Sequence, residues 1–344
     1  MNRFPAEWEL QNVMIAWPDE QTDWASTLHD ILPVYEQLAT EILRTGARLL
    51  VICRNRQQLP ESIAGNGAVV IREIPFNDTW VRDYAPLTVL RDDGSLCLLK
   101  FGFNGWGLKY PANLDNQVAV ALEKAKAFDG NPARTCEIKY RNLFWFVLEG
   151  GSIETNGCGD ILTTTKCLCA PNRNDNYKKD NFETVFAKNL YSKNVIWLNQ
   201  GYLVGDDTDS HIDMLARFFS PDGIVHVSCA NPADEHYDGL QAMADELAAA
   251  TDHNGAPFRI EKLPMPDPVY DRDGQRMPAS YANFLELTDA VLFPVYGVDQ
   301  DADAMAVMQR LRPASEIIPV NARPLIMQRG AIHCATMKYP QQII

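Results

Sequence analysis

The feature that most constrains the fold is a regular alternation of short apolar segments with longer amphipathic ones. Residues 12–17, 48–53 and 69–74 are short and apolar, which is typical of buried strands. Residues 28–43 instead repeat apolar side chains at helical spacing, and Gly46 follows as a helix stop signal. This alternation predicts a mixed α/β fold.

The same alternation continues toward the C-terminus. Further predicted strands are residues 142–148, 194–198, 223–228 and 290–295, and further predicted helices are residues 237–250 and 302–311. The proline-rich residues 264–268 show no change of composition across them, so we predict a loop there rather than a linker. With 344 residues, 46% of them hydrophobic, the chain can bury a large core as one domain or two.

The composition narrows the classes of partner. Lys and Arg number 31 against 45 Asp and Glu, which gives a formal net charge of −14 spread along the chain. Such a surface repels phosphates, so no nucleic-acid partner is expected. The same field would concentrate small cations, although an acidic composition more often reflects solubility.

Membrane and secretion signals are not expected either. The first ten residues include Glu7 and Glu9 and have no apolar region of the signal-peptide type. The longest apolar runs fall far short of the about 18 residues that a membrane span needs. The eight cysteines are not required as disulfides in a chain of this length. We therefore expect a cytoplasmic protein.

Three cysteines lie close together in the sequence, Cys158, Cys167 and Cys169. They form no C-x-x-C pair and have no histidine nearby, so a zinc site is not expected there. Their role is left open by the sequence.

The acidic residues 205–213 contain His211 and Asp213, two positions apart. In an extended segment, residues i and i+2 face the same side, so extended geometry would make the two one site. The turn-forming residues before His211 favour a loop that delivers it onto a strand or a helix start. An acidic cap on a helix over residues 214–219 is the structural alternative.

Metal chemistry at this segment is a second alternative. Counted as a calcium loop from Asp207, the sixth position is Ile212 instead of Gly and the twelfth is Phe218 instead of Glu, so calcium does not fit the spacing. A metallohydrolase remains open, because H-x-D occurs in many metal sites. Its ligands would be Asp207, Asp209, His211 and Asp213.

Cys334 lies among small residues in a segment, residues 330–336, that we predict to be the last loop and strand. Adjacent side chains of a strand face opposite ways, so His333 is not expected to be a base for Cys334. A thiolate at neutral pH needs a positive or proton-accepting neighbour, for which His211 is the best candidate. An inert buried cysteine is the structural alternative.

Two further segments carry candidate binding residues. Trp80 and Asp83 lie in a predicted loop between two prolines, where a ring face and a carboxylate could receive a planar cation. Internal pairing of Asp83 with Arg82 and a core position for Trp80 are the structural alternative. Glu149 ends a predicted strand just before residues 150–151, two glycines that would let a ligand approach.

The candidate residues are regularly spaced. Asp83, Glu149, His211 and Cys334 are separated by 66, 62 and 123 residues, and the last interval is two steps of similar length. A circular structural repeat of this period is one interpretation, although no matching sequence repeat accompanies it.

These segments, in this order, resemble the agmatine deiminase and bacterial peptidyl-arginine deiminase family of the guanidine-modifying (pentein) superfamily. The resemblance extends over nearly the whole chain and rests on residues 5–9, 17–18, 77–86, 103–110, 149–152, 207–218, 279–284 and 332–336. It implies one domain over residues 1–344, folded as a five-bladed α/β propeller of ββαβ repeats around a central active-site channel. The regular spacing of the candidate residues would follow from such repeats.

The resemblance also implies roles for individual residues. Cys334 matches the nucleophile, His211 the general acid/base, Asp83 and Asp213 the carboxylates that hold the guanidinium, and Glu149 the acidic residue beside the histidine. Trp80, Trp106 and Asn283 match substrate-binding positions. The implied chemistry passes through a thiouronium on the cysteine and uses no metal or organic cofactor.

The implied substrate is a small cationic guanidine. We expect agmatine, converted to N-carbamoylputrescine and ammonia in putrescine biosynthesis, because its distal ammonium suits an acidic protein. Conversion of peptidyl arginine to citrulline is the first alternative; a metal-dependent hydrolase, a cysteine peptidase or amide hydrolase, and a non-catalytic guanidine binder are others. Two positions depart from the pattern of agmatine deiminases: Met337 and Lys338 replace the usual paired glutamines, and residues 10–12 lack a histidine that is common in those enzymes. Lys338 is a candidate partner for a substrate carboxylate. A homo-oligomer is left open.

Overall fold

The computed structural model describes residues 1–129, 131 and 136–344. Its strands are short, as the sequence predicts. In chain order they are β1 (Asn12–Ala16), β2 (Leu49–Cys53), β3 (Val69–Glu73), β4 (Leu87–Leu90), β5 (Leu96–Gly102), β6 (Ile138–Val147), β7 (Ile153–Thr155), β8 (Asp160–Thr164), β9 (Asn194–Leu198), β10 (Ala216–Ser220), β11 (Gly223–Ser228), β12 (Arg259–Pro264), β13 (Leu285–Glu286), β14 (Ala290–Val295), β15 (Glu316–Asn321) and β16 (Met337–Tyr339).

Five longer helices and several single turns connect these strands. The helices are α1 (Leu28–Arg44), α2 (Glu61–Ala64), α3 (Val81–Tyr84), α4 (Gly105–Leu108), α5 (Asp115–Lys124), α6 (Thr165–Leu168), α7 (Lys179–Asn189), α8 (Tyr237–Ala249), α9 (Gln300–Leu311) and α10 (Arg323–Ile326). Turns of 3₁₀ helix lie at Glu7–Glu9, Ala25–Thr27, Arg56–Gln58, Gly150–Ser152 and Ile212–Met214. In the described part of the chain, no helix has the length and apolar character that a bilayer crossing requires.

Within the described residues the strands form five small sheets. Four of them repeat one pattern, an antiparallel pair followed by a parallel pair: β4–β5–β6, β7–β8–β9, β10–β11–β12 and β13–β14–β15. Parallel neighbours need a long crossover, and one of the longer helices supplies it in each sheet. The fold is therefore a mixed α/β fold built from repeated ββαβ units.

The fifth sheet joins the two ends of the chain. Its strand order is β16–β1–β2–β3, with β16 antiparallel to β1 and Met337 opposite Met14. β1, β2 and β3 run parallel, and α1 crosses from β1 to β2. The last strand thus completes the same ββαβ pattern that the other four sheets show. Every residue of β1 and β2 is buried, as expected for parallel strands covered on both faces.

The repeat explains the spacing of the candidate residues. In each sheet, the first strand of the antiparallel pair begins two to four residues after a candidate site residue. These strands are β4, β7, β10, β13 and β16. In chain order, the preceding residues are Asp83, Glu149, Asp213, Asn283 and Cys334. Asn283 fills the step between His211 and Cys334 that the sequence spacing left empty.

Most predicted elements are confirmed, and two local predictions are wrong. Strands 194–198, 223–228 and 290–295 have the predicted bounds, and the predicted helices shift by at most two residues at either end. The predicted loop at residues 77–83 runs into the short helix α3 instead. Residues 330–336 contain no strand, because the chain turns there and β16 begins only at Met337.

Candidate active site

The predicted site residues converge at the ends of different sheets. Cys334, His211 and Asp83 line one cavity of about 130 Å³, together with the rings of Trp80 and Trp106. The side chains of Cys334, His211 and Asp83 are buried apart from the small area that they show to this cavity. Residues far apart in sequence therefore meet in one enclosed place.

Gly151 makes this convergence sterically feasible. A Cβ atom there would lie 2.8 Å from His211 Nδ1, 2.9 Å from Asp213 Oδ2 and 2.9 Å from Asp83 Oδ1. The amide N–H of Gly151 donates a hydrogen bond of 2.9 Å to Asp83 Oδ1. The sequence predicted that a ligand would approach these glycines, but at Gly151 three protein side chains do so.

Asp83 is held on both oxygens. Oδ1 accepts from Gly151, and Oδ2 accepts from Trp106 Nε1 at 2.8 Å. Burial, with further contributions from the carboxylates of Asp213 and Glu149, raises the pKa of Asp83 to about 6, although the nearby His211 opposes the shift. Asp83 is thus largely ionised at neutral pH and retains lone pairs for a cationic ligand.

A left-handed turn delivers Trp106 to Asp83. The four residues of α4 all have positive φ, between 53° and 81°, so the segment is a left-handed turn rather than a right-handed helix. Gly105 and Gly107 adopt this conformation freely, whereas Trp106 and Leu108 do so at a cost of about 1 kcal/mol each. Strain of this kind is typical of functional sites.

His211 lies between two carboxylates. Its Nε2 is 2.9 Å from Glu149 Oε2, and its Nδ1 is 3.7 Å from Asp83 Oδ1 and has no hydrogen-bond partner among the described residues. Burial alone would lower the pKa of His211, but the charge of Asp83, the interaction with Cys167 and the hydrogen bond to Glu149 raise it well above its usual value. His211 is therefore an imidazolium at neutral pH, with Nδ1 free to transfer a proton.

Arg173 anchors the carboxylate behind His211 and was not found from the sequence. Its Nε donates to both oxygens of Glu149, at 3.0 and 2.8 Å, and another guanidinium nitrogen lies 2.6 Å from Asp209 Oδ2. Burial would raise the pKa of Glu149, but the hydrogen bond from His211 and the charge of Arg173 lower it. Glu149 stays ionised, and it fixes the histidine ring.

Cys167 also lies beside this pair. Among the described residues, one group of three potential metal ligands has its donor atoms within 4.8 Å of one another, and it consists of Glu149, Cys167 and His211. Cys158 and Cys169 do not belong to this group. Both oxygens of Glu149 already accept from Arg173, a positive group that disfavours a metal cation in the same place. The contact of Cys167 is a weak one, 3.8 Å from Sγ to Glu149 Oε2.

Asp213 reaches the site by a different route from the one predicted. His211 is the residue before a 3₁₀ turn, Ile212–Met214, so the segment is not extended. Asp213 Oδ2 lies 2.8 Å from His333 Nδ1 and 3.6 Å from Cys334 Sγ, while Oδ1 has no hydrogen-bond partner among the described residues. Burial opposes ionisation, but the hydrogen bond from His333 and the positive charges of His211 and Arg217 hold the pKa of Asp213 below its usual value.

Cys334 lies in the turn before β16, and an amide holds it. Asn283 Nδ2 donates to Cys334 Sγ at 3.1 Å, and Asn283 Oδ1 accepts from the Cys334 amide at 3.2 Å. Burial and the charges of Asp213 and Asp83 raise the pKa of the Cys334 thiol well above its usual value. Asn283 is not among the described residues that line the cavity, so its contact with substrate stays a prediction.

Trp80 and Gly330 form one wall of the cavity. A Cβ atom at Gly330 would lie 2.4 Å from the Trp80 ring, so the ring packs directly over the glycine backbone. Trp80 also packs against Trp24 with ring centroids 5.8 Å apart. Trp80 is therefore both a core residue and part of the cavity lining.

Charged residues that the sequence had not singled out as substrate contacts surround the mouth of the cavity: Asp23, Asp78, Asp207 and Arg329. Asp207 Oδ2 accepts from Tyr110 at 2.5 Å and lies 3.7 Å from Arg329 Nε. Burial raises the pKa of Asp78 to about 8. These residues come from separate loops with no shared motif, so only the fold brings them together.

The proposed metal ligands do not converge. Asp207 pairs with Tyr110, Asp209 with Lys109 at 2.8 Å and with Arg173, and Asp213 with His333.

Lys338 lies where a substrate carboxylate could not reach it. It is buried, and its Nζ donates to the backbone oxygens of Glu7 at 2.8 Å and Glu286 at 2.5 Å. The prediction of a carboxylate partner at Lys338 is therefore wrong.

The cavity is lined by a cysteine, by a histidine that a carboxylate braces and by a buried aspartate, and a second buried carboxylate lies 3.6 Å from the cysteine sulfur. This arrangement defines a guanidine-modifying hydrolase that acts on C–N bonds. The comparisons agree. The chain belongs to the Porphyromonas-type peptidyl-arginine deiminase family, whose profile it matches over residues 3–340.

Relatives and solved structures match over nearly the full length. An agmatine deiminase of Pseudomonas aeruginosa is 30% identical, over 98% of this chain and 95% of its own. A substrate-bound agmatine deiminase from C. jejuni is 34% identical with a TM-score of 0.87, over 98% and 96%. A Porphyromonas gingivalis protein, provisionally named an arginine deiminase, is 40% identical to this chain and has a TM-score of 0.91. The match covers 100% of both chains.

A more distant structure shares the fold alone. It is a dimethylarginine dimethylaminohydrolase, 12% identical with a TM-score of 0.55, over 96% of this chain. This likeness concerns the α/β fold and nothing beyond it.

Proposed function

We propose that this protein is an agmatine deiminase, which hydrolyses the guanidinium of agmatine to N-carbamoylputrescine and ammonia. The observation that carries the proposal is the convergence of Cys334, His211 and Asp83 on one cavity with an acidic mouth. The names of the agmatine deiminases reported above support the substrate. Formation of a putrescine precursor would place the reaction in polyamine synthesis.

Binding of the guanidinium rests on the two carboxylates. Asp83 and the free Oδ1 of Asp213 would accept N–H bonds from the guanidinium, which fixes its plane and holds its carbon toward Cys334. The rings of Trp80 and Trp106 line the same cavity and would cover the apolar methylene chain. The substrate thus supplies a hydrogen-bond donor to Asp213 Oδ1, which has none among the described residues, and adds donors to those that already hold Asp83.

The charge of the substrate also activates the nucleophile. In the free protein, burial and the charges of Asp213 and Asp83 keep Cys334 protonated. A bound guanidinium neutralises these charges, so the thiol loses its proton to solvent and becomes a thiolate beside the electrophilic carbon. Asn283 Nδ2, at 3.1 Å from Sγ, would stabilise the thiolate.

The first half-reaction forms a covalent adduct. Cys334 Sγ bonds to the guanidinium carbon, and a neutral tetrahedral species results. His211 then donates its Nδ1 proton to the terminal nitrogen, the C–N bond breaks, and ammonia leaves. A positively charged thiouronium remains on the cysteine, and His211 is neutral.

The second half-reaction hydrolyses the adduct. Neutral His211 takes a proton from water, and the oxygen bonds to the thiouronium carbon. The C–S bond then breaks, which restores the Cys334 thiolate and the His211 imidazolium. The product loses one proton, which ammonia accepts, so the overall change is guanidinium plus water to ureido product plus ammonium.

One observation favours the alternative substrate, an arginine or peptidyl-arginine. Arg329 lines the cavity mouth with φ +68°, a conformation that glycine would adopt without strain, and its guanidinium could receive a carboxylate. The same mouth holds Asp23 and Asp207, which favour an ammonium, whereas Asp78, with its pKa of about 8, is largely neutral at neutral pH. Two carboxylates against one guanidinium make agmatine the preferred substrate.

The substrate assignment is tested by ammonia release from agmatine, free arginine and a peptide with internal arginine. We expect agmatine to have the highest kcat/KM. A preference for arginine or for the peptide by tenfold, about 1.4 kcal/mol, would overturn agmatine and leave the site roles in place.

The finer architecture belongs to the same proposal. The five sheets would be five blades of a propeller around the active-site channel, in a single domain over residues 1–344. The repeated ββαβ pattern and the pairing of β16 with β1 support a closed ring. The eight cysteines, all within the described residues, are unpaired, which supports the proposed cytoplasmic location.

A further inference from the structure

We infer that His333 is a positioning residue, which fixes the carboxylate of Asp213 so that one oxygen stays directed toward the guanidinium. This inference rests on the proposed role of Asp213 in binding substrate. His333 is 1% exposed, and its Nδ1 lies 2.8 Å from Asp213 Oδ2. The sequence excluded His333 as a base for Cys334 and assigned it no other role.

The need for such a residue follows from the surroundings of Asp213. Its Oδ2 is 3.6 Å from Cys334 Sγ, whereas its Oδ1 has no hydrogen-bond partner among the described residues. Without a fixed donor on Oδ2, the carboxylate could rotate and lose the orientation that a guanidinium needs. A donor on one oxygen sets the plane of the group and leaves the other oxygen free.

His333 is suited to donate rather than to titrate. Burial and the positive charges of Arg217 and Arg82 lower its pKa, so the ring is neutral at neutral pH. A carboxylate accepts hydrogen bonds only, so Nδ1 must carry the proton of the neutral ring. The hydrogen bond to Asp213 thereby selects one tautomer.

The N-terminal segment lies beside the other edge of the ring, where Nε2 has no hydrogen-bond partner among the described residues. Glu7 Oε1 lies 3.6 Å from His333 Nε2 and accepts from Arg82 at 2.6 Å. The backbone N–H of His333 donates to the backbone oxygen of Asn283 at 3.1 Å, so the backbone at His333 is anchored as well. Glu7, which contributes to the family resemblance but not to the proposed mechanism, therefore lies next to the ring that fixes Asp213 and is itself held by Arg82.

Two substitutions of similar size separate positioning from structure. Asn places its amide nitrogen near the position of Nδ1, whereas Gln reaches toward Nε2. We expect His333→Asn to keep kcat/KM for agmatine within about fivefold of wild type and His333→Gln to lose about 10- to 100-fold, because a misplaced binding group costs about this much. In the Cys334→Ser background, the Gln variant should also bind agmatine more weakly than the Asn variant.

The controls separate failure of this inference from failure of the proposed function. His226, which is fully buried and bonded through Nδ1 to a backbone oxygen, serves as the matched histidine, and His226→Gln should affect only the melting temperature. If Asp213→Asn turns over agmatine like wild type, the proposed role of Asp213 is wrong. If Asp213→Asn is impaired but His333→Gln is not, only the positioning role is wrong.

Equal losses for the Asn and Gln variants would mean that His333 is merely structural, and would overturn the inference. If the variants do not fold, a measurement on the wild-type protein still tests the inference. ¹⁵N NMR of the six histidines should show a neutral ring at His333 protonated on Nδ1. A neutral ring protonated on Nε2 alone would exclude the hydrogen bond to Asp213.

Discussion

Glu149 and His211 are joined by a hydrogen bond of 2.9 Å between Oε2 and Nε2, and neither side chain is more than 1% exposed. The bond leaves Nδ1 of His211 facing Asp83 and the cavity. Arg173 holds the same carboxylate from behind. The proton-transfer atom of the proposed mechanism is thus set by a partner that does not line the cavity.

Glu149→Gln should move the alkaline limit of activity to lower pH. The hydrogen bond to Glu149 helps to raise the pKa of His211, and a neutral amide in place of the carboxylate weakens this bond, so the imidazolium loses its proton at lower pH. We expect kcat/KM for agmatine at pH 8 to fall about tenfold or more. A pH profile of kcat/KM measures the shift. Glu183→Gln, an exposed glutamate that accepts from Trp197, is the control, and an unmoved alkaline limb in the Glu149 variant would contradict the role of the pair.

The acid limit should report Asp83. Its pKa is about 6 in the free protein, and below that pH the neutral acid no longer attracts a guanidinium. Since kcat/KM reports groups of the free enzyme, it should fall as the pH drops from 7 to 5. Asp83→Asn should cost about 3 kcal/mol at neutral pH, roughly 100-fold in kcat/KM. A loss of only a few fold would make Asp83 structural.

Cys334→Ser should abolish turnover and leave the fold intact. A hydroxyl in the same place is a far weaker nucleophile than a thiolate, and the change removes little volume. Ammonia release and the melting temperature measure the two effects. Cys158→Ser, at an exposed cysteine away from the cavity, should keep full activity, and activity in the Cys334 variant near wild type would refute the covalent mechanism.

Activity should survive exhaustive treatment with EDTA. The carboxylates of the acidic segment are engaged by Tyr110, Lys109, Arg173 and His333, so they do not present a shared metal site. The measurement is agmatine turnover before and after chelation. Loss of activity that added metal restores would favour the metal-dependent hydrolase instead.

The sequence could predict the elements whose signals are local. Apolar runs and helical spacing placed most strands and helices, because burial on both faces leaves a clear pattern. The motifs around Asp83, Glu149, His211 and Cys334 indicated residues that the fold brings together, since each motif lies just before the first strand of a new sheet.

Other features depend on contacts that no local pattern reveals. The left-handed turn at Trp106 is held by Asp83 and by packing across the chain, against the preference of its own residues. Lys338 was a candidate partner for a substrate carboxylate because it departs from the usual agmatine deiminase pattern, but backbone oxygens of Glu7 and Glu286 accept its hydrogen bonds inside the protein. Arg329 reaches the cavity mouth from a turn without periodicity.

Gly151→Ala should be far more damaging than its size implies. The added methyl would lie 2.8 to 2.9 Å from His211, Asp213 and Asp83, shorter than a Cβ contact can be, so these side chains must separate. We expect a loss of about 100-fold or more in kcat/KM and of about 1–3 kcal/mol in the free energy of unfolding. Gly67→Ala is the matched control, because nothing lies within 4 Å of a Cβ there. If both variants were equally active, the convergence at Gly151 would not be what holds the site together.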